Sequence, residues 1–187
     1  VLFRSVMGIL NANRNAFLQG LWQTVILTVF AIVLASIWGI LLGVMGVSQL
    51  PWIRAISTTI IYLFRGLPLM VLAFFIYIGL PGVIGTKIPA FTAGLLTLIL
   101  NEGAYTAAFV RGGFEAVERG QMEAARSLGL NYNSAMRKVI MPQGLRIMVP
   151  SFINQFIITL KDTSILSAIG LLELTQTGTL KIGRAHV

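Results

Sequence analysis

Three ionisable residues stand inside long apolar stretches of this chain: Glu102 and the pair Lys161-Asp162. A charge at the centre of a membrane span costs about 2.5–3.5 kcal/mol on the insertion scale. Such a residue faces a cavity or a partner and is a functional candidate by default. Polar neighbours gather around each. Asn101 and Tyr105 stand at i−1 and i+3 from Glu102 and are read as sharing its helix face. Asn154 and Lys161 are seven apart, as are Gln155 and Asp162, so each pair falls on one face of a helix. Thr163 and Ser164 follow directly. Together these residues offer ionic and hydrogen-bonded recognition in an apolar site, where few polar groups confer specificity. Plainer roles stand beside this one: a local Lys161–Asp162 ion pair at a helix break, and a structural hydrogen bond from Glu102 to a neighbouring helix.

The elements that would position these residues are membrane spans. The chain is 56% hydrophobic and only 11% charged, with a mean hydropathy of +0.86, whereas soluble domains carry about 25% charged residues. An all-α integral membrane protein is therefore expected. There is no Cys and a single His, His186, so a disulfide framework and a His/Cys metal site are excluded. No metal and no cofactor is expected. The net charge of +8 comes without an aromatic-interleaved basic patch, so it points to membrane topology and not to nucleic acid.

A spanning helix needs about 20 mostly apolar residues. Four stretches qualify: 25–47, 56–80, 89–110 and 147–172. The first carries no charge, with Trp22 at its margin and Gly39, Gly43 and Gly46 as a small-residue stripe for close helix packing. In the second, Pro68 removes a backbone donor and disfavours helix at Leu67, which predicts a kink or break. Arg65, beside it, is read as structural or snorkelling to the interface. Residues 81–85 read as a turn-rich linker. Residues 111–146 form a long polar loop with six Lys or Arg, against Lys87 alone between the second and third spans. The positive-inside rule puts that loop in the cytoplasm and the N-terminus outside.

Within the loop, Glu123, Ala124, Ala125, Gly129 and Pro142 stand in the register Glu-Ala-Ala, three residues, Gly, nine residues, Ile-x-Leu-Pro, with Val139 and Met141 at the Ile and Leu positions. This resembles the EAA loop of bacterial ABC-importer permeases. Further blocks resemble the polar amino acid branch of that family: Phe64-Arg65-Gly66-Leu67-Pro68-Leu69, Asn101-Glu102-Gly103-Ala104-Tyr105, Val110-Arg111-Gly112-Gly113 and Lys161-Asp162-Thr163-Ser164. One departure is Ala108, where the family usually has an acid.

The resemblance implies a type I ABC importer permease bundle in the bacterial cytoplasmic (inner) membrane, with four spans present and a fifth truncated. It implies a transport subunit and not an enzyme; no G-x-x-x-x-G-K-[ST] phosphate loop is present. The implied partners are an ABC ATPase subunit, a second permease subunit in a homo- or heterodimer, a periplasmic or lipid-tethered amino-acid-binding protein, and the lipid bilayer. Glu123, Ala124, Ala125, Gly129 and Pro142 would form the ATPase-coupling loop. Glu102, Tyr105, Gln155, Lys161, Asp162, Thr163 and Ser164 would line the substrate pathway, with Lys161 toward a substrate carboxylate and Asp162 or Glu102 toward an ammonium. The alternative is an ion-coupled secondary amino acid transporter, which inverted repeats would favour; none is visible. A non-transporting scaffold would leave the intramembrane charges without a purpose.

The two ends have a separate reading. Val1-Leu2-Phe3-Arg4-Ser5 and the string from Lys181 to Val187 can be encoded by reverse-complementary codons that match a common sequencing adapter. Residues 1–5 and 181–187 are therefore read as adapter read-through, leaving 6–180 as a C-terminally incomplete transmembrane domain. Removing Arg4, Lys181 and Arg184 lowers the net charge from +8 to +5. Resequencing the genomic locus decides the point.

Overall fold

The computed structural model describes Gly8 and residues 11–183, without the side chain of Ile182. Among these residues the chain is helical throughout, with no strand. Residues 1–5 and 184–187, read above as adapter sequence, lie outside the described residues, as does His186. Lys181 to Gly183 belong to the last helix.

Helix α1 spans Arg14–Gly46, α2 Pro51–Gly66, α3 Leu69–Phe74 and α4 Leu80–Ile84. Then come α5, Ala90–Glu115, α6, Arg119–Ser127, and α7, Tyr132–Ala135. The last two are α8, Met141–Asp162, and α9, Leu174–Gly183. Helices α1 and α5 are long and apolar enough to cross a membrane, and the broken pair from Pro51 to Ile84 makes a third crossing if it is one span. The fourth expected span is helical as α8 but is not among these, because Arg146, Asn154, Gln155, Lys161 and Asp162 lower its hydropathy.

Helix α1 starts eleven residues before the expected 25–47 span. Nothing between Arg14 and Thr24 stops a helix, and hydropathy marks only the apolar part of one. At 33 residues it is about 50 Å long, more than the roughly 30 Å hydrocarbon core. The supposed linker 81–85 is also helical as far as Ile84; Gly85, at φ 71°, ends it. The break at Leu67-Pro68 is as expected: both residues are extended, with ψ of 129° and 134°.

Two π-helical turns, Phe75–Gly79 and Met136–Ile140, share one cause. Each closes with an N–H five residues on, Leu80 to the Phe75 oxygen and Met141 to the Met136 oxygen. Each closing residue precedes a proline, Pro81 or Pro142. Proline cannot donate, and its ring clashes with the carbonyl four residues back. A wider turn just before it relieves that clash.

The chain divides into two compact units. One holds residues through Val33, 68–98 and Ile158 onward; the other holds 34–67 and 99–157. In the first, α3 packs on the 3-10 helix Thr163–Ile169. There the Glu173 carboxylate, 1% exposed, accepts the N–H groups of Thr175 and Gln176 at 2.7 Å each and caps α9. In the second, α1 and α5 meet through glycines. A Cβ at Gly39 would stand 2.5 Å from Thr106 Cβ, and one at Gly43 2.5 Å from Val110 Cβ. The small-residue stripe is thus a close-packing face, as the sequence suggests. Ser57 joins α2 to α1 by donating to the Leu42 oxygen at 2.6 Å.

Candidate functional site

The loop carrying Glu123, Ala124 and Ala125 folds as a helical hairpin in the second unit. Helix α6 ends at Ser127, and Gly129 takes φ +84°. Its N–H reaches the Arg126 oxygen at 3.0 Å, and the Leu130 N–H reaches the Ala125 oxygen at 3.2 Å. These two bonds define a Schellman stop, which puts a left-handed residue one past the helix cap. Glycine adopts that conformation without the Cβ penalty. The spacing of the Glu-Ala-Ala triplet from the glycine is therefore set by where the helix must stop. Asn131 then starts the next helix, its Oδ1 accepting the Ser134 N–H at 2.8 Å.

The two alanines do different work. Ala125 is buried, and α6 packs on the π-turn that precedes Pro142. Ala135 and Ile140 are buried in the same unit. Ala124, Glu123 and Arg126 are exposed. Leu128 is an apolar side chain 84% exposed at the tip of the turn. The hairpin is tied to α8: Gln143 donates to the Gln121 side chain at 3.1 Å and to the Val139 oxygen at 3.1 Å. Pro142, exposed, sits at the start of α8. Gln121 and Gln143 were not singled out in the sequence. Only the hairpin geometry gives them a role.

Between α5 and α8, the second unit brings Glu102 and Gln155 together. Glu102 is 1% exposed and accepts a hydrogen bond from Gln155 Nε2. A carboxylate buried among apolar helices needs such partners. Asn101 does not share that face. It donates instead to the Phe64 oxygen at 3.0 Å and, more loosely, to that of Leu67 at 3.5 Å. One residue along a helix is a turn of about 100°, so adjacent side chains diverge; the expected shared face of Asn101 and Glu102 is corrected here. Tyr105, one turn on from Asn101, faces the same end of α2, its ring lying under Arg65 with the guanidinium carbon 5.0 Å from the centroid.

The remaining candidates lie in the first unit. Asp162 is the last residue of α8, and Lys161 before it is exposed. Asp162 is half-buried, consistent with the seven-residue spacing that separates the buried Gln155 line from the exposed Asn154 line. Thr163 and Ser164 spend their hydroxyls locally, donating to the Leu160 oxygen at 2.7 Å and the Lys161 oxygen at 2.6 Å. These bonds satisfy carbonyls at the helix end. Among the described residues no cluster of carboxylates or histidines could hold a metal ion.

The family of binding-protein-dependent transport system inner membrane components matches residues 35–182. The probable glutamine ABC transporter permease protein GlnM of Bacillus subtilis (strain 168) is 33% identical over 168 residues, 90% of this chain and 77% of that protein. The octopine transport system permease protein OccM of Rhizobium radiobacter is 36% identical over 179 residues, covering 91% of this chain and 73% of that one. A crystal structure of an amino acid ABC transporter with histidines superposes with a TM-score of 0.88 at 36% identity, over 95% of this chain and 83% of that chain. The inward-facing MetNI methionine ABC transporter, at 20% identity, has the same fold, with a TM-score of 0.78 over 94% of this chain and 84% of that one. A helical membrane bundle, a glycine-stopped Glu-Ala-Ala hairpin and a family match over most of its length lead to one assignment: the chain belongs to the binding-protein-dependent transport system inner membrane components, as a permease of the ABC transporter type.

Proposed function

We propose that the chain is the permease subunit that forms the transmembrane pathway for ATP-driven import of polar amino acids. The observation that carries this reading is the hairpin of α6 and α7, with Glu123 and Leu128 exposed and Gln121 bonded to Gln143 on α8. A rigid exposed hairpin fastened to a long helix can pass a push from a soluble partner into the membrane. The names of its relatives support the amino acid class. ATP hydrolysis belongs to a separate ATPase subunit on which the hairpin docks. A second permease subunit completes the pathway, and a periplasmic or lipid-tethered binding protein delivers the substrate.

The loop of 111–146 lies in the cytoplasm and the N-terminus outside, by the excess of basic residues in that loop. Glu102 and Gln155 form one polar element of the pathway, with Tyr105 three residues on from Glu102. Lys161, Asp162, Thr163 and Ser164 form another. The carboxylates recognise a substrate ammonium or cationic side chain, and Lys161 its carboxylate. The test is uptake by proteoliposomes that also hold the ATPase and binding protein. Glu123→Lys should leave insertion intact while ATPase association and uptake fall together. Unchanged uptake in Glu123→Lys combined with Gly129→Val would refute the docking role.

A further inference from the structure

Arg65 and Arg111 line one cleft of the second unit, with a volume of about 180 Å³. Tyr62, Ala108 and Glu115 also form its wall. A second cleft of about 490 Å³ shares Tyr62, Arg111 and Glu115 with the first and adds Arg54 and the hydroxyls of Thr58 and Thr59. The two run along one side of α2 beside the last turns of α5. Three arginines thus meet a single carboxylate.

That carboxylate is already used. Glu115 Oε1 accepts from Arg111 Nε at 2.9 Å. The contact uses one of the five N–H donors of Arg111. Arg65 stacks its guanidinium over Tyr105 at 5.0 Å. Stacking uses the face of the group and leaves its in-plane donors directed elsewhere. Arg54 has no ion pair among the described residues. Ala108 adds no charge to the wall. The clefts therefore present many donors and a net positive charge to whatever enters. A tetrahedral oxyanion with several acceptor oxygens matches that demand, and arginine forks suit phosphate in particular.

The place in the fold selects the carrier of that phosphate. Arg54 is in the first turn of α2, and Glu115 is the last residue of α5. The clefts run inward to Arg65, in the last turn of α2, and open at the helix ends on the side that carries the basic loop. Lipid headgroups sit at that depth, and basic residues there attract anionic lipids of the cytoplasmic leaflet. On the opposite face of α2, Trp52, Ile56 and Leu63 are exposed and apolar, as suits a helix surrounded by lipid. We infer that the clefts bind an anionic phospholipid from the leaflet on the loop side, its phosphate held at Arg111, which lines both, between Arg54 and Arg65.

The test is native mass spectrometry of the purified protein in micelles, titrated with phosphatidylglycerol, phosphatidylcholine or inorganic phosphate. Phosphatidylglycerol should be retained in preference to phosphatidylcholine by about tenfold, the worth of one charge-assisted hydrogen bond. Arg65→Gln should remove most of that preference, and Arg65→Lys should keep part of it. Ala108→Glu puts a second carboxylate on the wall without deleting any contact and should also remove it, which separates loss of binding from loss of folding. Equal preference in the protein and all three variants would overturn the inference. Displacement of the lipid by millimolar inorganic phosphate would assign the cleft to a soluble anion, and loss of the lipid on pairing with a second permease subunit would assign it to a subunit contact. Either result overturns the lipid assignment.

Discussion

The side-chain amide of Asn101 donates to the main-chain oxygen of Phe64 at 3.0 Å, and this bond answers the break that Pro68 imposes. The last four carbonyls of a helix lack intrahelical partners, and Pro68 has no N–H to offer one. In hydrocarbon there is no water to substitute. Asn101 reaches across from α5 and supplies the donor.

Asn101→Ala should therefore destabilise the protein by about 1–3 kcal/mol, the cost of a buried acceptor left unpaired. Asn101→Asp should be at least as harmful, because an ionised carboxylate offers no donor. Thermal unfolding in detergent measures both. An unchanged melting temperature in Asn101→Ala would mean that the carbonyl finds another partner.

Gly43 tests the contact of α1 with α5. A Cβ there would stand 2.5 Å from Val110 Cβ and 3.0 Å from the Ala107 oxygen, so Gly43→Ala should cost about 1–3 kcal/mol by overpacking. Gly120 has open space around it on exposed α6. Gly120→Ala should shift stability by no more than about 0.5 kcal/mol. Equal melting temperatures for the two variants would contradict the packing described.

Gly129 tests the turn of the hairpin separately from its surface. Its Cβ would meet nothing within 4 Å, but φ is +84°. Any loss in Gly129→Val thus comes from backbone conformation, about 1–2 kcal/mol or more for a β-branched residue. Gly129→Asn should lose less, since asparagine tolerates the left-handed region. ATPase stimulation should rank Gly, then Asn, then Val. Full stimulation in Gly129→Val would show that the Schellman stop is dispensable for coupling.

Glu102, Lys161 and Asp162 can be separated by their substrates. Glu102→Gln removes the charge but keeps an acceptor for Gln155, so insertion should be normal. A transport loss confined to cationic substrates would put Glu102 beside the substrate side chain. Equal loss for all would give it an ammonium-binding or gating role. Lys161→Ala with Asp162→Ala should insert normally and lose transport if both contact substrate. Normal uptake at matched expression would leave both charges structural.

Much of this was legible in the sequence where the determinant is local. Pro68 gives the break at Leu67, Gly129 gives the helix stop, and the glycines at 39 and 43 give a close-packing face. Partners distant in sequence were not legible. Asn101 and Phe64 are 37 positions apart, and Glu102 and Gln155 are 53 apart; helical spacing tells which way a side chain faces and not what it meets. The same limit hid the tie from Gln121 to Gln143. Pro81 and Pro142 were visible, but the backbone could answer a proline by kinking, breaking or widening, and local sequence does not say which. Glu173 was passed over because glutamate is a less usual cap than aspartate or serine.

The most direct test of the central claim is energised uptake of a labelled polar amino acid into proteoliposomes holding this permease with the ATPase and binding protein encoded with it. Uptake should require ATP on the loop side and binding protein on the other. It should persist when proton and sodium gradients are collapsed, and Glu123→Lys should abolish it. Uptake driven by an ion gradient without ATP, and indifferent to Glu123, would contradict the account and make the chain an ion-coupled transporter.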